Sequence, residues 1–345
     1  MIKLKVFDIS FRTAYAQAKE LARTQLRVPL QTAGTIQVER RGGHEFAYRY
    51  RYDIRGKRIT EYLGAMSEAE TSEKVAQAQA EINEQETFAR YSRDLRKVGF
   101  YSADNSTVVT VATLFNAGVF GGGGVLVGTH AFGVILNELG VSAAPWPMTE
   151  DVDVARAGRI EVAALPEGGL LGLLKQTGLP FHEVPALKRG APATSYKVRG
   201  RKLKVDLLVP SKRIPFVPVR VPELEAYAMG LPYLEHLLNA TMESVLFGRD
   251  RIVPVTVPHA GWFCVHKLAL YSLRSGSDNP KREKDVFQAA VLAAALAHEQ
   301  DFLLSEAVET MDRKLMAHVK PGAKRAHAIL EKEFPEAARM LEPLA

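Results

Sequence analysis

Three aspartates are the residues of this sequence best placed to do chemistry: Asp151 and Asp153 in TEDVDVAR, and Asp206 in KLKVDLLVPSK. Read as a strand, the first segment aims both of its carboxylates to one face, because side chains in a strand alternate with period two. Two acids on one face repel unless a cation sits between them. Asp206 lies in a second strand pattern, with Val205 and Leu207 facing the opposite way. If the two strands are neighbours, the three carboxylates converge and can hold two magnesium ions. Upstream, VLVGTHAFGVIL reads as strand, tight turn and helix, with Gly128 and Thr129 at the turn. Glycine there lets backbone approach a ligand closely, and the free N–H groups and dipole of a helix start favour a phosphate. Thr129 adds a hydroxyl donor.

Each piece alone has a plainer explanation. An isolated Asp-x-Asp is more often a solvent-facing strand edge, and Gly-Thr is an ordinary strand-to-helix turn with threonine as the cap. Their order along the chain is what makes the pattern specific. The glycine run 121–124 lacks a following Lys-Ser/Thr and precedes the strand, so it is read as a connector and not as a phosphate loop. His130 and His259 are read as structural. Cys264 is the only cysteine, which excludes an internal disulfide and any multi-cysteine zinc or iron–sulfur site, and no H-E-x-x-H pair occurs. A metal used here is therefore expected to be a hard ion held by carboxylates, Mg2+ or Mn2+.

The elements that must position these residues are intermixed. Residues 8–28 read as an amphipathic helix and residues 35–63 as strands, with a turn at Arg55-Gly56-Lys57. Ser67 and Glu70 read as a capping box opening a helix to about residue 92. TVVTVATLFNAGVF is a helix, VLVG a buried strand, and Thr129 to Leu139 a helix stopped by Gly140. A loop at Pro145 and Pro147 precedes the DVDVA strand. A short strand at 159–164, the helix LGLLKQTG, and the strands TSYKV and KLKVDLLV follow. From His259 the chain is helical. The expected fold class is α+β: a mixed-sheet core over 101–258, flanked by an N-terminal helix-hairpin-helix module over 1–100 and a helical domain over 259–345.

The 345 residues are 47% hydrophobic and 24% charged, ordinary for a globular protein, and carry a net charge of +6. That balance suits a phosphate-bearing partner without requiring one. The basic residues cluster: LKRGAPATSYKVRGRKLK, residues 187–204, contains no acid. In Tyr48-Arg49-Tyr50-Arg51-Tyr52, alternation puts tyrosines on one face and arginines on the other. Tyrosines packed inward and arginines in solvent are the simpler expectation, with a nucleic-acid face left open. No apolar run is long enough to span a bilayer and no signal core opens the chain, so a cytoplasmic protein without membrane partners is expected.

The ordered set Gly128-Thr129, Asp151-x-Asp153, Asp206 resembles the DNA-polymerase-beta-like nucleotidyltransferase superfamily, with threonine in place of the usual serine. VGTHAF, TEDVD and the hairpin ending Tyr62-Leu63-Gly64 look closer still to a bacterial group of stand-alone proteins with that fold. The core likeness covers about residues 107–215. It implies an NTP substrate, Asp151, Asp153 and Asp206 as catalytic metal ligands, and Gly128 and Thr129 at the terminal phosphates. WFCVHKLAL and KREKDVFQA resemble segments that place a helical lysine and a Lys-Asp pair near the triphosphate, here Lys267, Lys284 and Asp285. An interhelical salt bridge explains those residues equally well.

Two functions follow. One is transfer of a nucleoside monophosphate from an NTP to a hydroxyl of RNA, protein or a small molecule. The other is a catalytically silent module of the same fold, binding nucleic acid or a protein in a toxin–antitoxin or defence pair. The first requires the three acids to converge around divalent cations: Asp206 pointing away from Asp151 and Asp153, or a salt link permanently filling the space among them, would overturn it.

Overall fold

The computed structural model describes all residues except 1, 145–149, 157, 159, 161–164, 187, 213–216 and 275–279. The chain opens with β1 (Lys3–Val6), α1 (Ile9–Arg23), a meander of β2 (Thr35–Arg41), β3 (His44–Tyr52) and β4 (Arg58–Ala65), and the long α2 (Ala69–Val98). Then come α3 (Asn105–Asn116), β5 (Gly124–Val127), α4 (Gly128–Glu138), β6 (Val141–Ala144), β7 (Asp151–Arg156) and α5 (Gly169–Lys175). The sheet continues with β8 (Phe181–Glu183), β9 (Ser195–Val198), β10 (Lys204–Pro210), β11 (Pro218–Val221) and β12 (Ala226–Leu231). After α6 (Leu234–Leu237) and the hairpin β13 (Thr241–Phe247) with β14 (Ile252–Pro258), the rest is helical. These helices are α7 (Ala260–Leu273), α8 (Pro280–Glu299), α9 (Phe302–Glu309), α10 (Arg313–Leu330) and α11 (Pro335–Leu341).

The central sheet runs β11-β12-β10-β7-β5, with β9 also on β10 and β8 on β9. β7, β10 and β12 are parallel neighbours, whereas β5 is antiparallel to β7 and β11 to β12. The architecture is α+β with a mixed sheet. The strands that meet at its centre, β7 and β10, alternate buried valines and alanine or leucine with half-buried aspartates, the period-two pattern of a sheet with one packed face. α3 and α4 are apolar nearly all round because both are enclosed: Thr129 through Asn137 of α4 are all buried. Each large apolar side chain enclosed there, such as Phe132 or Ile135, contributes about 1.5–3 kcal/mol. α3 begins under Asp104, whose carboxylate accepts from the N–H groups of Ser106 and Thr107, worth about 1 kcal/mol.

Several expectations need correction. α1 stops at Arg23, well short of residue 28; the segment beyond is pinned in irregular form, with Val28 exchanging two 2.8 Å hydrogen bonds with the Asn116 side-chain amide. The Ser67–Glu70 capping box does not form: Glu68 occupies the cap without a side-chain bond, and α2 runs past 92 to Val98, ending at Gly99 with φ +114°. Its last turns persist because Phe88 and Leu95 are buried against Phe247 and Ile252 of the β13–β14 hairpin. The faces of the meander are reversed. α2 covers the side bearing Ala47, Leu63 and Arg49, and Tyr48, Tyr52 and Tyr62 lie on the other side, where Tyr50 alone of the four is buried, at 9% exposed. Arg49 is 2% exposed, yet its guanidinium is satisfied by the Ala33 carbonyl, at 3.2 and 3.1 Å, and by Glu81 at 2.5 Å. A buried arginine is tolerated where its donors are paired.

The loop expected at Pro145 and Pro147, and residues 159 and 161–164 of the expected short strand, lie outside the described residues. Among the described residues no helix is long and apolar enough to cross a membrane.

Candidate active site

Asp153 is held from three sides. Its strand β7 is parallel to β10 in a register that sets Asp206 directly beside Asp153 and Lys204 beside Asp151. On the other flank, Val127 at the end of β5 pairs with Asp153. The next residue, Gly128, takes φ +71° to turn the chain into α4. A Cβ on Gly128 would lie 2.0 Å from Asp153 Oδ2, so both the close approach and the left-handed backbone require glycine. The structure thus brings Asp151, Asp153, Asp206, Gly128 and Thr129 to the rim of one cavity of about 400 Å³. Val205 and Leu207 point the other way and are buried.

The acids are under electrostatic stress. Burial, and then the charges of Asp206 and Asp151, push the Asp153 carboxyl up from an ordinary 3.8 to about 7. Asp206 Oδ1 is buried and accepts no hydrogen bond, whereas Oδ2 receives Lys204 Nζ at 2.6 Å. Burial works to lower the Lys204 ammonium, but the bond to Asp206 and the nearby acids outweigh it and hold it above its ordinary value. Lys204 was not singled out in the sequence, though its place two residues before Asp206 puts it on the same strand face. Its salt link fills part of the space among the carboxylates, and among the described residues no three His, Cys, Asp or Glu side chains form a group that could hold a metal ion. The orphaned Asp206 oxygen, the destabilised Asp153 charge and an all-oxygen donor set nonetheless fit a hard divalent cation.

Facing the acids, the helices supply cations. Lys284 of α8 donates to Thr129 Oγ1 at 2.7 Å, tying α8 to the start of α4. Burial lowers the Lys284 ammonium, and the neighbouring charge of Lys267 lowers it further. Lys267 and Asp285 do form the interhelical salt bridge considered above, at 2.8 Å, and Arg274 Nε binds the second Asp285 oxygen at 2.6 Å. Burial works against the Asp285 charge, but Lys267 and Arg274 hold the carboxyl below its usual range. One carboxylate thereby offsets two cations, so the network keeps a positive charge on the cavity wall. Arg274 and Lys281 also line the cavity and were not foreseen, although Lys281 opens the KREKDVFQA segment that carries Lys284 and Asp285. Leu208, Leu231, Leu234 and Phe263 give the cavity an apolar share of its lining.

Neither histidine singled out in the sequence lines the cavity, whereas His266 of α7 does. His130 is enclosed, its Nδ1 bonded to the Tyr101 hydroxyl at 2.5 Å, and burial lowers its pKa to about 4. His259 stands at the N-cap of α7 without a capping side-chain bond. Cys264 is buried and its thiol is pushed up to about 12.

A family model described as nucleotidyltransferase matches residues 105–312, a span from the start of α3 to the start of α10 that takes in every residue of this cavity. No curated protein and no solved structure matches the chain. Since the matched span exceeds half of the 345 residues, the chain belongs to a nucleotidyltransferase family and is an enzyme of nucleotidyl transfer.

Proposed function

We propose that this chain moves a nucleoside monophosphate from an NTP to a hydroxyl acceptor on RNA, protein or a small molecule, as a polymerase-beta-like enzyme working in the cytoplasm. In this reading residues 101–258 carry the chemistry, residues 259–345 the phosphate-facing wall, and residues 1–100 serve the acceptor or the packing. The observation that carries it is the register of β7 on β10, which sets Asp206 beside Asp153 with one of its oxygens unsatisfied.

Asp151, Asp153 and Asp206 would hold Mg2+ or Mn2+, once Lys204 yields Asp206. Such an ion supplies neutralisation of phosphate charge and a lowered pKa for the attacking hydroxyl. The protein's own groups do the rest. The N–H groups at the start of α4 and the Thr129 hydroxyl bind terminal phosphate oxygens, with the helix dipole in support. Lys284 reaches the same point through Thr129, and Lys267 and Arg274 add positive charge behind it. Asp206 Oδ1, free of donors, is suited to take the proton of the acceptor hydroxyl. The apolar side chains of the cavity lining suit the face of a base. Positioning and charge complementarity account for the rate enhancement, as in other phosphoryl-type transfers.

The test is incubation with α-labelled NTP, magnesium and cell extract. Wild type labels an acceptor and Asp153→Asn does not; equal labelling by the variant would refute the site. The Lys204–Asp206 link favours a second reading, a silent module of the same fold, which predicts no labelling by the wild type under any divalent ion.

A further inference from the structure

The outward face of the β2–β3–β4 meander is unlike the rest of the surface. Register puts Phe46, Tyr48, Tyr50 and Tyr52 of β3 on that face, with Tyr62 of β4 opposite Tyr48 and Arg58 opposite Tyr52. Tyr62 and Tyr52 are 56% and 47% exposed, although large aromatics on a meander normally face its core. The rings form one connected tier: Tyr48 lies 5.4 Å from Tyr62 and 6.3 Å from Tyr50, and Phe46 lies 6.3 Å from Tyr62. Guanidinium groups sit over it at each side, Arg41 at 5.4 Å from the Tyr48 centroid and Arg58 at 5.0 Å from that of Tyr50.

The charge around the tier is positive. Arg49 and Arg51 belong to the other face and are paired with Glu81 and Glu61. Arg40 and Arg41 at one end, and Arg55, Lys57 and Arg58 at the other, are exposed. The acid on the tier itself, Glu39, is engaged by Arg41 and by the Tyr50 hydroxyl, which together hold it below its ordinary pKa. Asp53 is consumed in its own turn, accepting from the N–H groups of Arg55 and Lys57.

We propose that this sheet face binds single-stranded nucleic acid, bases stacking on Tyr62, Tyr52 and Tyr48 while Arg41, Arg58 and the basic turns meet the phosphates. Ring faces accept any unpaired base, and guanidinium groups above them serve both stacking and phosphate contact. A duplex hides its base faces and is excluded by the same geometry. The inference stands apart from the transfer reaction, because no residue of the aspartate cavity takes part in it.

The experiment is fluorescence anisotropy of the full chain with labelled oligomers about ten nucleotides long, oligo-U and oligo-dT, and a duplex of equal length, at low salt. Both single strands are expected to bind more tightly than the duplex, and the two arms report whether the 2′-hydroxyl contributes. The double variant Tyr52→Ala, Tyr62→Ala is expected to lose about tenfold or more in affinity, whereas Tyr62→Phe, which keeps the ring, binds as wild type. Arg41→Ala with Arg58→Ala should reduce the slope of log K against log salt by about 1.4, two contacts at about 0.7 each. Asp153→Asn should leave affinity unchanged, so failure of the transfer reading does not touch this result. Absence of binding by the wild type overturns the proposal and leaves the face to a protein partner. Undiminished binding by the double tyrosine variant overturns it too, and moves the site to the basic stretch 188–204.

Discussion

Replacing Asp153 by asparagine should make the protein more stable, and increasingly so as the pH rises. The native protein keeps the Asp153 proton up to about pH 7, because burial and the charges of Asp206 and Asp151 oppose its loss. The unfolded chain releases it near 3.8. Between those values the native state holds the extra proton, so wild type loses stability as pH climbs through that interval and loses nothing further above it. At about 1.4 kcal/mol per tenfold, the interval is worth about 4 kcal/mol as a ceiling. Asp153 is only partly enclosed by its neighbours, so solvent screening brings the expectation to about 2 kcal/mol. Asparagine has no charge to lose and escapes this cost. With an unfolding entropy near 2.1 cal/mol/K per residue, 2 kcal/mol is about 3 °C in Tm for a chain of this length. Thermal unfolding at pH 5 and pH 8, without divalent ions, measures it: a small gain at pH 5 and the larger one at pH 8. Magnesium should then raise the Tm of wild type at pH 8 and move the variant far less, because the cation relieves the same repulsion. A gain equal at both pH values, or a variant less stable than wild type at pH 8, would refute the reasoning.

Two further outcomes follow from the same cavity. Gly128→Ala forces a side chain into φ +71° and within 2.0 Å of Asp153 Oδ2; the backbone strain costs roughly 1–2 kcal/mol, and displacement of the carboxylate should lower kcat/KM for labelled-NTP transfer at least about tenfold. Asp285→Asn leaves Lys267, 6% exposed, without its counter-charge; urea unfolding should show a loss of about 3–5 kcal/mol, partly restored by saturating NTP.

Much of the site could be read from the chain because it rests on local patterns. The alternation in DVDVAR and KVDLLV fixed which side chains share a face, and the Gly128–Thr129 turn announced the start of α4. The neighbourhood of β7 and β10 was only a condition, since parallel pairing across a long excursion leaves no local trace. Lys204 shows the same boundary: its position on the Asp206 face was written in the sequence, but its bond across to the carboxylate was not. The Lys267–Asp285–Arg274 network depends on how α7 meets α8, which apolar helices of this kind do not encode in any single segment. The meander was read the wrong way round. Alternation gives two faces without saying which is covered, and the expectation that tyrosine outranks arginine for burial failed at Arg49, where α2 brings Glu81, and held at Tyr50, which is buried. The capping box failed for a related reason: a four-residue motif competes with the chain's exit from β4, which sets where α2 begins.

The side-by-side setting of Asp153 and Asp206 tolerates change of one kind and forbids another. Between β7 and β10 the polypeptide passes through α5 and the β8–β9 pair on the far side of β10, so the loops joining these elements can lengthen, shrink or acquire new decoration while the acids stay abreast. Loss or gain of a single residue within either strand instead swaps inward for outward side chains, sending a valine where an acid stood. Relatives that diversify their acceptors should therefore differ in these loops and agree, residue for residue, along the two strands.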